Sequence, residues 1–283
     1  MTQTAAVTWT PDIMSAGVTL VAAGATHEGA VRRHNEDAWL VSPPVYVVAD
    51  GMGGHAAGDV ASRLVIEAFA ELAGRDDVTA PDIERVLESS RAAVSALATS
   101  PVTAPGSTVI AAVYVVERGR GYWLLVNIGD SRAYLLTPER LEQVSHDHSL
   151  VQEMIDAGEI DEREARVHPD RHVITRAIGA VDDAAADFTL MPARGGTRLL
   201  LCSDGLTGEL DDERIERVLR GGASAGVTAA RLVAAAVEAG GHDNVTAIVI
   251  DVIGSDVVSH ADTLGSGRSD PEVDTVPQAR SHA

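Results

Sequence analysis

Val45-Tyr46-Val47-Val48-Ala49-Asp50-Gly51-Met52-Gly53-Gly54 decides how the rest of the chain is read. A run of apolar, mostly β-branched residues stops on an aspartate, and a glycine-rich turn follows. Such a run predicts a buried strand that delivers a carboxylate to the end of a sheet. The pattern recurs. Val126-Asn127-Ile128-Gly129 leads to Asp130, Leu199 to Ser203 leads to Asp204-Gly205, and Gly241-His242-Asp243-Asn244 introduces Val245 to Ile250. Upstream, Arg32-Arg33-His34-Asn35-Glu36-Asp37 adds another acidic cluster. One Asp-Gly pair alone is an ordinary hairpin signal. Four aspartates bordering strongly apolar runs are different, because an unpaired carboxylate near a core is costly. If these ends converge they form an oxygen-ligand site. With no cysteine or histidine pair beside the acids, Mg²⁺ or Mn²⁺ suits that site better than Zn²⁺.

Outward from that stretch, Val18 to Ala25 predicts a first strand, and Trp39 to Ser42 and Val45 to Ala49 two more, split by Pro43-Pro44. Asp59 to Gly74 has helical periodicity through Val60, Leu64, Phe69 and Leu72. Thr79-Ala80-Pro81-Asp82 resembles a capping box that opens a second helix to about Thr99. Thr108 to Val116, Gly121 to Ile128 and Arg132 to Leu136 read as strands. So do Thr197 to Ser203 and Val245 to Ile253, with helices at Asp211 to Arg220 and Thr228 to Ala239 between them. Residues 149 to 178 are polar, with short helices and Pro169, and read as a mobile insertion over the sheet. Residues 1–16 are expected to be a flexible leader, 17–254 one catalytic domain and 255–283 a disordered tail. Strands grouped between helix pairs predict two packed antiparallel sheets with helices outside.

Bulk composition excludes several function classes. The 283 residues can bury a sizeable core, and 45% of them are apolar. A net charge of -20 argues against nucleic acid, which needs cationic patches. All 22 basic residues are arginine, so P-loop lysines and Schiff-base chemistry are out. Cys202 is the only cysteine, so neither an intramolecular disulfide nor a cysteine metal cage can form. No apolar run reaches membrane-span length, and the expectation is a cytoplasmic protein with no membrane partner.

Rival motifs fail on spacing. Gly51-Met52-Gly53-Gly54-His55-Ala56 fits a relaxed dinucleotide fingerprint, but Asp50 would repel a pyrophosphate, and the helix leads to another helix rather than to a parallel strand. Gly208 stands where a Cys202-based phosphatase would need an arginine, so Cys202 reads as core. No serine-hydrolase elbow or zincin helix exists. His146-Asp147-His148 could offer metal ligands, although a pair two residues apart on a turn more often caps or is solvated. Arg32 and Arg33, beside an acidic site, could fork onto a phosphate.

Taken in order, Arg32-x-x-Asn35-Glu36-Asp37, Ala49-Asp50-Gly51-Met52-Gly53-Gly54, Gly106-Ser107-Thr108, Ile128-Gly129-Asp130-Ser131-Arg132, Asp147-His148-Ser149, Ser203-Asp204-Gly205-Leu206 and Asp243-Asn244-Val245-Thr246 form a specific set. Over roughly residues 18 to 253 this set resembles the metal-dependent Ser/Thr protein phosphatases (PPM, type 2C), bacterial branch. The resemblance implies an α+β fold, a four-layer α-β-β-α sandwich. It implies hydrolysis of phosphoserine and phosphothreonine by a hydroxide held between two Mn²⁺ or Mg²⁺ ions. Asp50 would bridge the ions, with the Gly51 carbonyl completing one of them. Asp204 and Asp243 would hold the other, and Glu36 a metal-bound water. Asp130, with Asp204, would bind a third, weaker ion. Arg32 would bind phosphate, and Asp37 and Asn244 would support the water network. Residues 150–175 would be the family's variable flap, gating substrate access.

Met52 departs from the animal pattern, in which a histidine there is discussed as the general acid. His55 is not promoted to that role, and the proton donor stays open. The implied partners are phosphoproteins, a Ser/Thr kinase and its targets, met by a monomer. Two rivals remain: a regulatory pseudophosphatase that only binds, and a phosphatase devoted to one partner such as an anti-sigma antagonist.

Overall fold

The computed structural model describes residues 2–9, 18–53, 57–98, 104–179 and 185–254. Two antiparallel sheets lie face to face between helical layers, as the alternation of strand groups and helix pairs predicts. The first sheet holds β1 (Gln3–Trp9), β2 (Thr19–His27), β12 (Val245–Ile253), β11 (Arg198–Cys202), β8 (Arg132–Leu136) and β9 (Leu141–Gln143), in that order. The second runs β10 (Asp187–Pro192), β7 (Arg120–Ile128), β6 (Val109–Glu117), β4 (Val45–Met52) and β3 (Asp37–Ser42), with the short β5 (Gly106–Ser107) on β4.

Strand alternation builds three cores. Along β4, Val45, Val47 and Ala49 face helices α1 (Gly58–Ala70) and α2 (Ala80–Ser95), where they meet Val65, Phe69 and Ile83. Tyr46 and Val48 face the other sheet, among Trp123, Leu199, Ile248 and Ile250. On the first sheet, Leu200, Ala247 and Val249 face α6 (Asp212–Leu219) and α7 (Ala225–Ala239). The Thr79 capping box opens α2 as the sequence predicts, but the helix stops at Ser95, short of Thr99.

Three expectations meet a different outcome or cannot be placed. The stretch 1–16, expected to be a leader, carries β1, which pairs with β2 from Gln3↔Thr26 to Trp9↔Leu20. Its run of Thr4, Val7, Thr8 and Trp9 has strand propensity, and β2 offers it an open edge. The insertion at 149–178 is tied down at its base: Leu150 N–H donates to Val173 O at 2.8 Å and Thr175 N–H to His148 O at 2.8 Å. Between these ties it forms α3 (Leu150–Asp156) and α4 (Glu162–Val167). Residues 10–17, His55 and the tail 255–283 lie outside the described residues.

Candidate functional site

At one end of the sandwich the inward-facing rows turn from apolar to polar. Tyr46 and Val48 are followed by Asp50, Trp39 is preceded by Asp37, Ile250 and Ile248 by Thr246, and Leu201 is followed by Ser203. A period of two residues therefore places these polar groups in the layer between the sheets. β3 and β4 pair so that Asp37 lies directly opposite Asp50. Asp204 starts the short helix α5 (Asp204–Thr207) after β11, and Asp243 stands just before β12. The acids predicted at the ends of apolar runs thus meet at one place in the fold.

Asp37 is buried at 9% exposure. Its Oδ2 accepts from Thr246 Oγ1 at 2.6 Å and from Ser203 Oγ at 2.8 Å. Its Oδ1 is buried with no partner among the described residues, and so is Asp204 Oδ1. Burial, with Asp204 and Asp243 nearby, pushes the Asp37 carboxyl up to about 7 despite those two hydrogen bonds. Burial, then the charges of Asp37, Asp204, Asp130 and Asp243, holds Asp50 well above the carboxylate range. Burial and Asp204 do the same to Asp130, and burial and Asp243 raise Asp204. Several like charges in one desolvated place are expensive alone. Among the described residues no three His, Cys, Asp or Glu side chains stand at ligand spacing. The carboxylates are neighbours rather than a closed cage, and the two orphaned Oδ1 atoms leave lone pairs for a hard cation or for the water it holds.

The remaining expected residues hold the loop around this cluster. Arg32 Nη2 is 2.7 Å from Asp243 Oδ2, half exposed and able to leave. Glu36 O accepts from Gly51 N–H at 3.1 Å and Ser62 Oγ at 2.6 Å, leaving the Glu36 carboxylate out of these bonds. Asn244, expected in a water network, is committed to backbone. Its Oδ1 accepts from Glu36 N–H at 2.8 Å, and its Nδ2 donates to Glu28 O and His34 O at 2.9 Å each. Loop 28–36 has no strand partner for those groups, so Asn244 supplies one.

Gly51 is required by space. A Cβ there would lie 2.0 Å from Gly58 O and 2.7 Å from Glu36 O, both backbone atoms. Gly51→Ala is expected to cost about 3 kcal/mol in urea unfolding of chelated protein. Gly74→Ala, left-handed at φ +72° but with nothing within 4 Å, is expected to cost about 1 kcal/mol. Equal losses would mean that the packing of Gly51 against α1 is unimportant.

Neither histidine of the pair is bonded to an acid of the cluster. His146 is exposed, on Asp156 at 2.9 Å. His148 is buried and lowered by burial, with both ring nitrogens engaged by Gly129 and Asp187. Cys202 is buried, and burial pushes its thiol up to about 12, as a core cysteine should be. Sequence reasoning gave no role to Ser203 and Thr246, which strand parity alone could have flagged. It also missed His172, whose Nδ1 comes within 4.0 Å of Asp204 Oδ2 from the 150–175 segment. No local signal marks that residue. A cavity of about 190 Å³ between Asn127, Gln143, Ser145 and Asp187 contains none of the expected acids.

Residues 23–231 match the profile of the protein phosphatase 2C family. The chain is 41% identical over 249 residues to the serine/threonine protein phosphatase PstP of Mycobacterium tuberculosis, covering 85% of this chain and 47% of that protein. It therefore spans about half the length of that relative. With the serine/threonine phosphatase stp of Listeria welshimeri it shares 35% identity over 241 residues, covering 80% of this chain and 93% of that one. The crystal structure of the catalytic domain of a serine/threonine phosphatase PstP, in complex with two manganese ions, superimposes with a TM-score of 0.75 at 36% identity. That match covers 84% of this chain and all of the other.

Proposed function

The chain belongs to the protein phosphatase 2C family, and from that premise we propose that it is a protein-serine/threonine phosphatase that uses divalent cations. The observation that carries this reading is the convergent set Asp37, Asp50, Asp130 and Asp204, two of them buried and Asp50 and Asp204 half-buried, each raised by desolvation and by its acidic neighbours, with two carboxylate oxygens left unpartnered. Bound Mn²⁺ or Mg²⁺ would supply Lewis acidity there, lowering the pKa of water and offsetting charge on the phosphoryl group.

The chain's own residues divide the remaining work. Asp50, Asp204, Asp243 and the Gly51 carbonyl would hold two ions, and Asp130 would share a third, weaker position with Asp204. Glu36 and Asp37 keep water oriented at the cluster. Arg32 exchanges Asp243 for the substrate phosphate, to which a guanidinium can present two parallel donors. Met52 has no proton to give, so the leaving alkoxide is not protonated from that position. The substrates we infer are phosphoproteins made by a Ser/Thr kinase, met in the cytoplasm by a monomer. The names of the relatives support the phosphoprotein class, and the -20 charge speaks against nucleic acid. Among the described residues no helix is long and apolar enough to cross a membrane.

Hydrolysis of a small aryl phosphate and of a phosphothreonine peptide, with Mn²⁺, with Mg²⁺ and after chelation, tests the proposal. Turnover that needs metal and stops with chelator is expected. No turnover of either substrate under any metal would leave the binding-only scaffold as the better reading. Arg32→Ala is expected to lower kcat/KM by about tenfold to a hundredfold, the worth of a charge-assisted hydrogen bond to phosphate. An unchanged value would remove Arg32 from the phosphate site.

A further inference from the structure

Gly129, the residue before Asp130, is closed on both sides by one histidine. Gly129 N–H donates to His148 Nδ1 at 3.1 Å, and His148 N–H donates to Gly129 O at 2.9 Å. A backbone N–H can only donate, so Nδ1 carries the lone pair and the neutral ring has its proton on Nε2. Nε2–H then donates to Asp187 Oδ2 at 3.1 Å. Arg176 Nη1 also lies 3.1 Å from Nε2, but two donors make no hydrogen bond, and its partner is Asp187 Oδ1 at 3.1 Å. The His148 carbonyl accepts from Thr175 N–H at 2.8 Å. One buried residue, by its ring and its backbone together, thus touches the turn before Asp130, strand β10 and the returning end of the 150–175 segment.

Gly129 needs such a clamp. Its φ of +106° is open to glycine alone, and a Cβ there would meet Thr108 Cγ2 at 2.6 Å. A glycine so placed gives the next residue no stiffness of its own, whereas a carboxylate that holds a cation has to be oriented by the groups behind it. We propose that His148 is the positioning residue for Asp130, fixing the Gly129–Asp130 turn for the weakest cation position and tying it through Asp187 and Arg176 to the base of the 150–175 segment. The inference rests on the metal-dependent reading above.

Two substitutions separate the ring's two nitrogens. His148→Asn keeps an acceptor at the δ position for Gly129 N–H and loses the reach to Asp187. His148→Gln keeps the reach and loses the acceptor. Calorimetric titration of Mn²⁺ into chelator-stripped protein, with melting curves to confirm folding, reads the result without activity. His148→Gln is expected to weaken the weakest Mn²⁺ step about tenfold, as Asp130→Asn does, while the tighter steps stay within about threefold. His148→Asn is expected to restore that weakest step to within about threefold of wild type. Equal losses in the Asn and Gln variants, or no loss in either, would overturn the proposal. If His148→Gln fails to fold, Asp187→Ala decides, with a loss of about twofold to threefold at the same step expected and no change fatal. Wild-type protein that takes up no Mn²⁺ would overturn the phosphatase reading together with this one. Wild-type uptake and turnover, with every step intact in His148→Gln, would overturn this one alone.

Discussion

Asp204→Asn is expected to lower metal-dependent aryl-phosphate turnover by about 10²- to 10³-fold, the cost of removing one fixed charge from a preorganised site. The same variant is expected to melt higher than wild type once metal is chelated. Both effects have one cause. Asp204 sits beside Asp243 and Asp50, its pKa is raised by burial and by Asp243, and its Oδ1 has no partner among the described residues. Asparagine keeps the shape, removes the charge and brings donors that neighbouring carboxylates can accept. Each kcal/mol gained is worth about 2–4 °C for a domain of this size. Turnover assays and calorimetric melts in chelator read the two effects separately. A variant that lost activity and stability together would make Asp204 a structural residue, and near-normal turnover would remove it from the ion-binding set.

The parts of the fold that local pattern determines were open to sequence reasoning. β12 occupies Val245–Ile253 as predicted, because a short run dominated by β-branched residues and buried on both faces suits a central strand. The run from Val45 to Asp50 gave both the strand and the direction of its carboxylate. β10 escaped notice, since its residues are mostly exposed and its partner β7 lies 60 to 70 residues upstream in the register Asp187↔Asn127 to Pro192↔Tyr122. Edge strands such as β1 and β10 owe their form to an open neighbour rather than to their own periodicity. The same division holds at the site. Asp50, Asp130, Asp204 and Asp243 were visible as ends of apolar runs, whereas their separate roles came from family resemblance. Asn244 as a fastener for loop 28–36 and His172 beside Asp204 depend on loop placement, which no spacing encodes.

The acidic cluster's contribution to the stability of metal-free protein is expected to fall as pH rises from about 4 to about 8, and Mn²⁺ to recover more of it at the upper end. The sign follows from the direction of the shifts. Asp37 titrates at about 7 in the fold against an ordinary 3.8, and Asp50, Asp130 and Asp204 are raised as well. Between those values the folded state holds more protons than the unfolded chain, so each step up in pH favours unfolding. A cation bound by these oxygens replaces the protons, which makes its apparent affinity grow with pH. At a hundred times its Kd a ligand adds about 2.7 kcal/mol, or about 5–10 °C here. Other carboxylates, such as Asp187 on His148 and Arg176, are lowered and pull the absolute stability the opposite way. The quantity to measure is therefore the melting shift caused by Mn²⁺ at fixed pH, expected to be larger at about pH 7.5 than at about pH 5. Asp37→Asn should flatten that difference. The heat of Mn²⁺ binding should also vary with the ionisation enthalpy of the buffer, because protons leave as the ion enters. A shift of the same size at both pH values, with a buffer-independent heat, would mean that the acidic cluster is not where the metal binds.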